Sequence, residues 1–178
     1  MKHIAIALTA FAVAASAYAQ GVVNFSTRAG ASVNAPVTYQ GDNTLADGRF
    51  LGQLYVAAPN GTLAPSGTAT PFRSDAGKGY ITAGGNVEVP GVTPGSSAQV
   101  KLVAWAASLG ATYAEAVAKG QGGVGESAVI TINTGGGTLP PAALTGLAAF
   151  NISPIVPEPS IAALGLLGAG LLLIRRKK

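Results

Sequence analysis

Turn-forming segments interrupt the middle of this chain at short intervals, and that spacing limits its fold more than any other feature. Examples are GDNTLADG at 41–48, APNGTLAPSG at 58–67 and NTGGGTLPP at 133–141. The 178 residues include 25 glycines and 11 prolines, whereas only 10% are charged. Long helices and coiled coils need stretches free of both glycine and proline. Short strands joined by turns remain, so the sequence predicts an all-β body.

Eight stretches between the turns have the composition of β-strands, and we expect them to form a small antiparallel β-sandwich. They are Val22–Thr27, Pro36–Gln40, Leu51–Ala57, Ala69–Arg73, Asn86–Val89, Ala98–Ala106, Ser127–Asn133 and Leu147–Ile152. In Ala98–Ala106, every second residue from Ala98 to Ala104 is apolar, so one face of this strand is predicted to be buried.

One stretch has helical rather than β-type composition. GATYAEAVAKG, from Gly110 to Gly120, is rich in alanine and places Glu115 and Lys119 four residues apart. Thr112 followed by Glu115 resembles a capping box, and Gly120 suits the C-terminal cap. The sequence therefore predicts one short helix inserted between two strands.

The N-terminal residues 1–19 have the three parts of a secretory signal peptide. Lys2 supplies a positive charge, and Ile4–Ala15 is an apolar stretch too short to cross a bilayer. Ala17 and Ala19 give the small-x-small pattern recognised by signal peptidase, with cleavage expected before Gln20. The alternative is a buried N-terminal helix, but the order of the three parts favours a signal helix and export.

The C-terminal apolar run, Ile161–Ile174, contains 14 residues without a charged side chain. A helix of this length covers roughly 21 Å, and flanking side chains extend its reach toward a hydrocarbon core of about 30 Å. Four bases follow and would stay on the cytoplasmic side; they are Arg175, Arg176, Lys177 and Lys178. The alternative, a buried core helix, rarely ends in four bases, so we predict a transmembrane helix.

Val156-Pro157-Glu158-Pro159, the Gly- and Leu-rich span and the terminal Arg-Arg-Lys-Lys together resemble the PEP-CTERM sorting signal of Gram-negative bacteria. The resemblance implies that an exosortase, a membrane-embedded processing enzyme, recognises the motif and removes the tail. It also implies release to the cell surface or to an exopolysaccharide matrix. The predicted organisation is a signal peptide at 1–19, a β-sandwich body at 20–153 and a PEP-CTERM tail at 154–178.

Charge is balanced between the two predicted processing sites. Residues 20–156 contain six bases and six acids, so the net charge of +4 comes from the ends of the chain. A neutral body lacks the basic footprint of a protein that binds nucleic acid, and we expect no such partner.

The composition also excludes most catalytic sites. The only histidine is His3, within the predicted signal peptide, and the chain has no cysteine. Nucleophilic triads and the usual zinc and copper sites are therefore excluded from the body. A pair of carboxylates acting on a glycoside is the remaining enzymatic alternative, but the six acids lie in no common motif. We predict no catalytic residue, no cofactor and no metal.

Two loop motifs have ordinary structural explanations. Residues 120–125, GQGGVG, match G-x-G-x-x-G, but a dinucleotide loop follows a strand and opens a helix, and here the order is reversed. We interpret the segment as a flexible connector. Asp42, Asn43 and Asp47 offer oxygen ligands as a calcium loop would, but these residue types are also typical of turns, which we favour.

Tyr55 and Trp105 are the candidates for ligand contact. Each shares strand parity with polar residues, Tyr55 with Gln53 and Trp105 with Lys101, so both rings are candidates for sugar contact on partly polar faces. The alternative is aromatic packing inside the sandwich. The sequence thus predicts an exported, non-enzymatic surface or matrix protein, and the alternative is a carbohydrate-binding module whose partner is exopolysaccharide.

Overall fold

The computed structural model describes residues 20–156, so the predicted signal helix and the predicted transmembrane helix lie outside the described residues. Within this range the protein is mostly β, with antiparallel sheets, which confirms the all-β prediction. No helix between residues 20 and 156 combines the length and the apolar character that a bilayer crossing requires.

Twelve strands and one α-helix make up the described chain. The strands are β1 (Gly21–Asn24), β2 (Arg28–Ala29), β3 (Val33–Asn34), β4 (Val37–Tyr39), β5 (Thr44–Leu45), β6 (Phe50–Ala57), β7 (Ala64–Pro71), β8 (Asn86–Val89), β9 (Ser97–Ala106), β10 (Val124–Glu126), β11 (Ile130–Asn133) and β12 (Phe150–Ile152). Helix α1 (Tyr113–Ala118) follows a 3₁₀ turn at Ala107–Leu109 and lies between β9 and β10.

A five-stranded antiparallel sheet forms the centre of the fold. Its order is β10-β9-β6-β7, and β11 also pairs with β9. Strand β9 is the longest, and Leu102 on it lies opposite Leu54 on β6. Ala98, Val100 and their alternating neighbours on β9 are buried, as the predicted apolar face requires. Their side chains join one core cluster with residues of β1, β4 and β8.

The remaining strands form small sheets around this centre. Strand β1 pairs with β8, β2 pairs with β3, and β4 lies between β5 and β12. The β12–β4 pair is parallel, which is a departure from a purely antiparallel body. A parallel pair needs a long connection, and here 110 residues, 40–149, separate Tyr39 at the end of β4 from Phe150 at the start of β12.

Every predicted strand overlaps an observed one, and the main error lies in β7. Its first half contains Pro65 and Gly67, which we interpreted as part of a turn. An edge strand tolerates proline, and Gly67 has a φ of 68° where the β6–β7 register shifts. The short strands β2, β3, β5 and β10 are not among the predicted strands, since two or three residues carry too little periodicity to detect.

The inserted helix is confirmed together with its cap. The Thr112 hydroxyl accepts a hydrogen bond from the Glu115 amide at 3.2 Å, and the Glu115 carboxylate accepts from the amides of Ala111 and Thr112. The Glu115 carboxylate is thus part of the cap at the N-terminus of α1. The C-cap is Lys119, one residue earlier than predicted, and Gly120 follows it with a φ of 64°.

Removing the cap should loosen this helix. Thr112→Ala deletes the hydroxyl that accepts from the Glu115 amide, which should lower the free energy of unfolding by about 1 kcal/mol in urea titrations. Thr62→Ala, at an exposed loop threonine, is the matched control. Equal stability of the two variants would contradict a capping role for Thr112.

Candidate functional site

The structure places Trp105 in the interior, with none of its surface exposed. Its indole N–H donates to the Gly110 carbonyl oxygen at 3.0 Å, and its ring lies 6.1 Å from that of Tyr113. Helix α1 covers this end of β9, so the side chain that strand parity assigned to a polar face is enclosed. The prediction that Trp105 contacts a sugar is therefore wrong, and the alternative of interior packing is confirmed.

Tyr55 is half-buried on the outer face of the central sheet, and a second tyrosine joins it there. The Tyr55 and Tyr113 rings are 6.0 Å apart and nearly perpendicular, at 76°. Lys101 lies opposite Tyr55 across β6 and β9, and its ammonium nitrogen is 5.9 Å from the centre of the Tyr55 ring. One tyrosine from β6 and one from α1 thus form an angled aromatic surface.

Glu126 connects this surface to β10. Its carboxylate accepts hydrogen bonds from the Lys101 ammonium and, at 2.7 Å, from the Tyr113 hydroxyl. The exposed side-chain fraction is 44% for Glu126 and 20% for Lys101. We call Tyr55, Lys101, Tyr113 and Glu126 the outer-face cluster. Sequence reasoning missed both residues because only the docking of α1 onto β9 brings Tyr113 to Tyr55, and only the pairing of β10 with β9 brings Glu126 to Lys101.

The contacts of the cluster shift the pKa of two of its members. The hydrogen bond from Lys101, and after it the one from Tyr113, lowers the pKa of Glu126 below its usual 4.5. Burial, and after it the hydrogen bond to Glu126, raises the pKa of the Tyr113 hydroxyl. Glu126 is consequently an anion at neutral pH, and Tyr113 keeps its proton.

The lowered pKa of Glu126 predicts a pH dependence of stability. The folded protein binds fewer protons at Glu126 than the unfolded chain does, so the stabilisation is complete above about pH 4.5 and is lost as pH falls through the lowered value. We expect the unfolding free energy of Glu126→Gln to fall less than that of wild type between about pH 6 and about pH 3. Glu88→Gln, which removes an exposed carboxyl outside the cluster, is the control. Identical pH profiles for Glu126→Gln and wild type would contradict the prediction.

The loop proposed as a calcium alternative is organised as a turn. Asp42 accepts hydrogen bonds from the amide and hydroxyl of Thr44, and Asp47 accepts from the Arg49 amide at 3.1 Å and from its Nε at 2.9 Å. Asn43 adopts a φ of 55° within the turn. Among residues 20–156, no three histidine, aspartate or glutamate side chains gather as a metal site would require.

The glycine-rich segment 120–125 follows a helix and leads into a strand, as predicted, but it is more than a connector. A Cβ on Gly122 would lie well inside van der Waals contact of the Pro154 carbonyl oxygen, and one on Gly125 would collide with Asn151. A Cβ on Gly123 would lie 2.8 Å from Ile155. These three glycines form a seat for the last residues of the body.

Hydrogen bonds hold the terminal segment in that seat. The Gly123 amide donates to the Ser153 carbonyl oxygen at 3.1 Å, and the Ser153 amide donates to that of Val124 at 2.9 Å. The Val156 amide donates to the Gln121 carbonyl oxygen at 2.7 Å. Contacts with the body therefore continue past the predicted boundary at Ser153 and reach Val156. The rest of the sorting motif, Pro157, Glu158 and Pro159, and the basic residues Arg175 to Lys178 lie outside the described residues.

A cleft of about 310 Å³ lies beside this segment. It is lined mainly by apolar groups of Tyr39, Arg49, Phe50, Ala106, Ala107, Ser108 and Ile155. The rings of Tyr39 and Phe50 are 4.9 Å apart, and the Tyr39 hydroxyl accepts a hydrogen bond from the Ile155 amide at 3.2 Å. The terminal segment thus forms one wall of the cleft.

The N-terminal end of the body is also held by a backbone hydrogen bond. Gln20 is the first described residue, and the Gly21 amide donates to the Val92 carbonyl oxygen at 2.6 Å. Strand β1 begins at Gly21, one residue after Gln20. Ala17 and Ala19 of the predicted signal-peptidase site lie outside the described residues.

No protein-family model, no curated protein and no solved structure matches this chain.

Proposed function

We propose that this chain is an exported, non-enzymatic protein of the cell surface or exopolysaccharide matrix. Signal peptidase removes residues 1–19, and an exosortase-type enzyme acts at the Val156–Pro159 motif of a precursor anchored in the inner membrane. One observation supports this most directly. Strand β1 starts at Gly21, next to the predicted N-terminal cleavage site, and Val156, the first residue of the predicted sorting motif, is hydrogen-bonded to Gln121, so the folded body reaches both predicted processing sites.

The body proposed here is a small β-sandwich. The central sheet supplies one layer, and the β1–β8 and β4-containing sheets supply the other. Leu54 and Leu102 from the first layer share one core cluster with Val23, Val37 and Val87 from the second, which supports two layers facing each other.

The state of the carboxylates supports a non-enzymatic role. A general acid that cleaves glycosides needs a raised pKa. Here the pKa values of Asp42 and Asp47 are lowered, first by hydrogen bonds from Thr44 and Arg49 respectively, and the Arg73 hydrogen bonds hold that of Asp75 at about 2. The pKa of Glu126 is lowered as well. Each of these groups serves as an anion that secures a turn or a side chain.

Intact-mass spectrometry of the protein recovered from the producing cells tests the sorting proposal. The expected species begins at Gln20 and ends near Pro157. The variant carrying Pro157→Ala and Pro159→Ala should keep its tail, whereas Thr62→Ala in the body should be processed like wild type. A wild-type product that retains Arg175–Lys178, or complete processing of the double variant, would contradict the proposal.

Carbohydrate binding is the second candidate function, and the outer-face cluster favours it. Tyrosine rings beside a carboxylate and an ammonium offer both the apolar surface and the hydrogen-bonding groups that a sugar requires. Because Trp105 is buried, Tyr55 and Tyr113 are the rings available for contact.

Affinity electrophoresis in the polysaccharide of the producing cells tests this second candidate. Tyr55→Ala should lose most of the retardation, whereas Tyr80→Ala should keep it, because Tyr80 is a half-buried tyrosine outside the cluster that bonds to Asn34. Wild-type behaviour of Tyr55→Ala, or equal losses in both variants, would overturn the assignment.

A further inference from the structure

The exit point of the chain is fixed on the body, and the predicted membrane span starts close behind it. Val156 is hydrogen-bonded to Gln121, and the apolar run begins at Ile161. Five Cα-to-Cα steps reach at most about 18 Å. The polar layer of a bilayer occupies about 5–8 Å of that distance. In an anchored precursor the body therefore lies within roughly 13 Å of the headgroups.

The end of the body that faces the bilayer can be identified from β9. The Ala106 amide donates to the Gly123 carbonyl oxygen at 2.8 Å, so the terminal segment leaves beside the Ala106 end. At the other end, the Ser96 carbonyl oxygen accepts from the Thr134 amide, and Leu139 packs beside Gly95. A strand of this length places the two ends about 30 Å apart.

Exposed apolar groups gather at the exit end. Val156 is 63% exposed and Val117, on the last turn of α1, is 48% exposed. The Gly120 amide donates to the Val117 carbonyl oxygen, and the Val156 amide donates to that of Gln121, so the two valines are bonded to adjacent residues of one segment. Lys119, two residues after Val117, is also exposed. We call Val117, Lys119, Val156 and the Tyr39–Phe50–Ile155 cleft the exit face.

We propose that the exit face is a membrane-contact surface, which binds the lipid headgroup layer while the precursor is anchored. This inference rests on the proposed function, because it requires the tail to be inserted in a bilayer. Exposed valines and an apolar cleft gain from burial at the interface, and the Lys119 ammonium suits lipid phosphates. The short tether holds this face, and not the Leu139 end, against the surface.

The absence of cysteine from the chain allows a single-site test on the full-length protein. Val117→Cys and Leu139→Cys form a matched pair, because the native side chains are 48% and 49% exposed at opposite ends of β9. Each variant carries a fluorophore and is reconstituted into phosphatidylcholine–phosphatidylglycerol nanodiscs that contain spin-labelled headgroups. We expect quenching to be severalfold stronger at position 117 than at position 139. Equal quenching at both positions would overturn the proposal.

Two further measurements separate the possible failures. Flotation with vesicles reports whether the tail inserts, and failure to float would overturn the proposed function and this inference with it. Quenching at position 117 that persists at one chain per nanodisc supports contact with lipid. Quenching that requires several chains per nanodisc would assign the exit face to a second copy and overturn the proposal. Lys119→Cys provides a second label on the same face should Val117→Cys fail to fold.

Discussion

Trp105→Ala is expected to lower the free energy of unfolding by about 3–5 kcal/mol, a large share of the roughly 5–15 kcal/mol that holds such a domain together. The side chain is fully buried, and its removal leaves a cavity beneath α1. It also leaves the Gly110 carbonyl oxygen without the indole donor. Because the core is built largely from alanine and valine, it has few large side chains that can fill the space.

Urea titration followed by circular dichroism measures this effect, since the variant lacks the tryptophan fluorophore. Tyr55→Ala, at a half-buried ring on the outer face, should cost much less and serves as the control. Trp105→Phe should fall between the two, because it keeps most of the apolar volume but loses the hydrogen bond. A loss below about 1 kcal/mol in Trp105→Ala would show that the interior rearranges around the missing ring.

Gly122→Ala should destabilise the body and release its terminal segment. Gly122 has a φ of 74°, and a Cβ there would also collide with the Pro154 carbonyl oxygen. Gly120→Ala is a matched control in the same segment, because its φ is 64° but a Cβ there would meet nothing within 4 Å. Both variants lose about 1–2 kcal/mol to the left-handed backbone, and Gly122→Ala loses about 1–3 kcal/mol more to the collision.

Hydrogen exchange identifies where the damage lies. In Gly122→Ala the amides of Ser153 and Val156 should exchange faster, because their carbonyl partners are at Val124 and Gln121 on the seat. In Gly120→Ala these amides should remain protected. Equal unfolding free energies and equal exchange in the two variants would show that the close approach of Pro154 to Gly122 has no energetic role.

Local patterns predicted local structure well. Alternation in β9 indicated its buried face, and the spacing of Thr112 and Glu115 indicated the capped helix, because both depend on neighbours within a few residues. Trp105 was misassigned for the opposite reason. Strand parity correctly placed it with Lys101, but whether that face is open depends on where α1 packs, which no local pattern encodes.

The outer-face cluster and the glycine seat could not be predicted, because both depend on contacts between residues far apart in sequence. Tyr113 meets Tyr55 and Glu126 only through tertiary packing, and the glycines of 120–125 pack against residues some thirty positions later. The turn interpretation of Asp42 and Asp47 succeeded because those carboxylates bond to residues two positions away. Sequence reasoning was thus reliable for contacts between residues a few positions apart. It did not identify the contacts between residues far apart in sequence.

The parallel pairing of β12 with β4 has a consequence for how the protein forms. Phe150 aligns with Val37. The sheet that contains β4 therefore cannot be completed until β12, near the end of the body, is available to pair. As the chain is synthesised from its N-terminus, β4 emerges long before its partner. Such high contact order slows folding, and in the meantime it leaves an open strand edge that can pair with another chain.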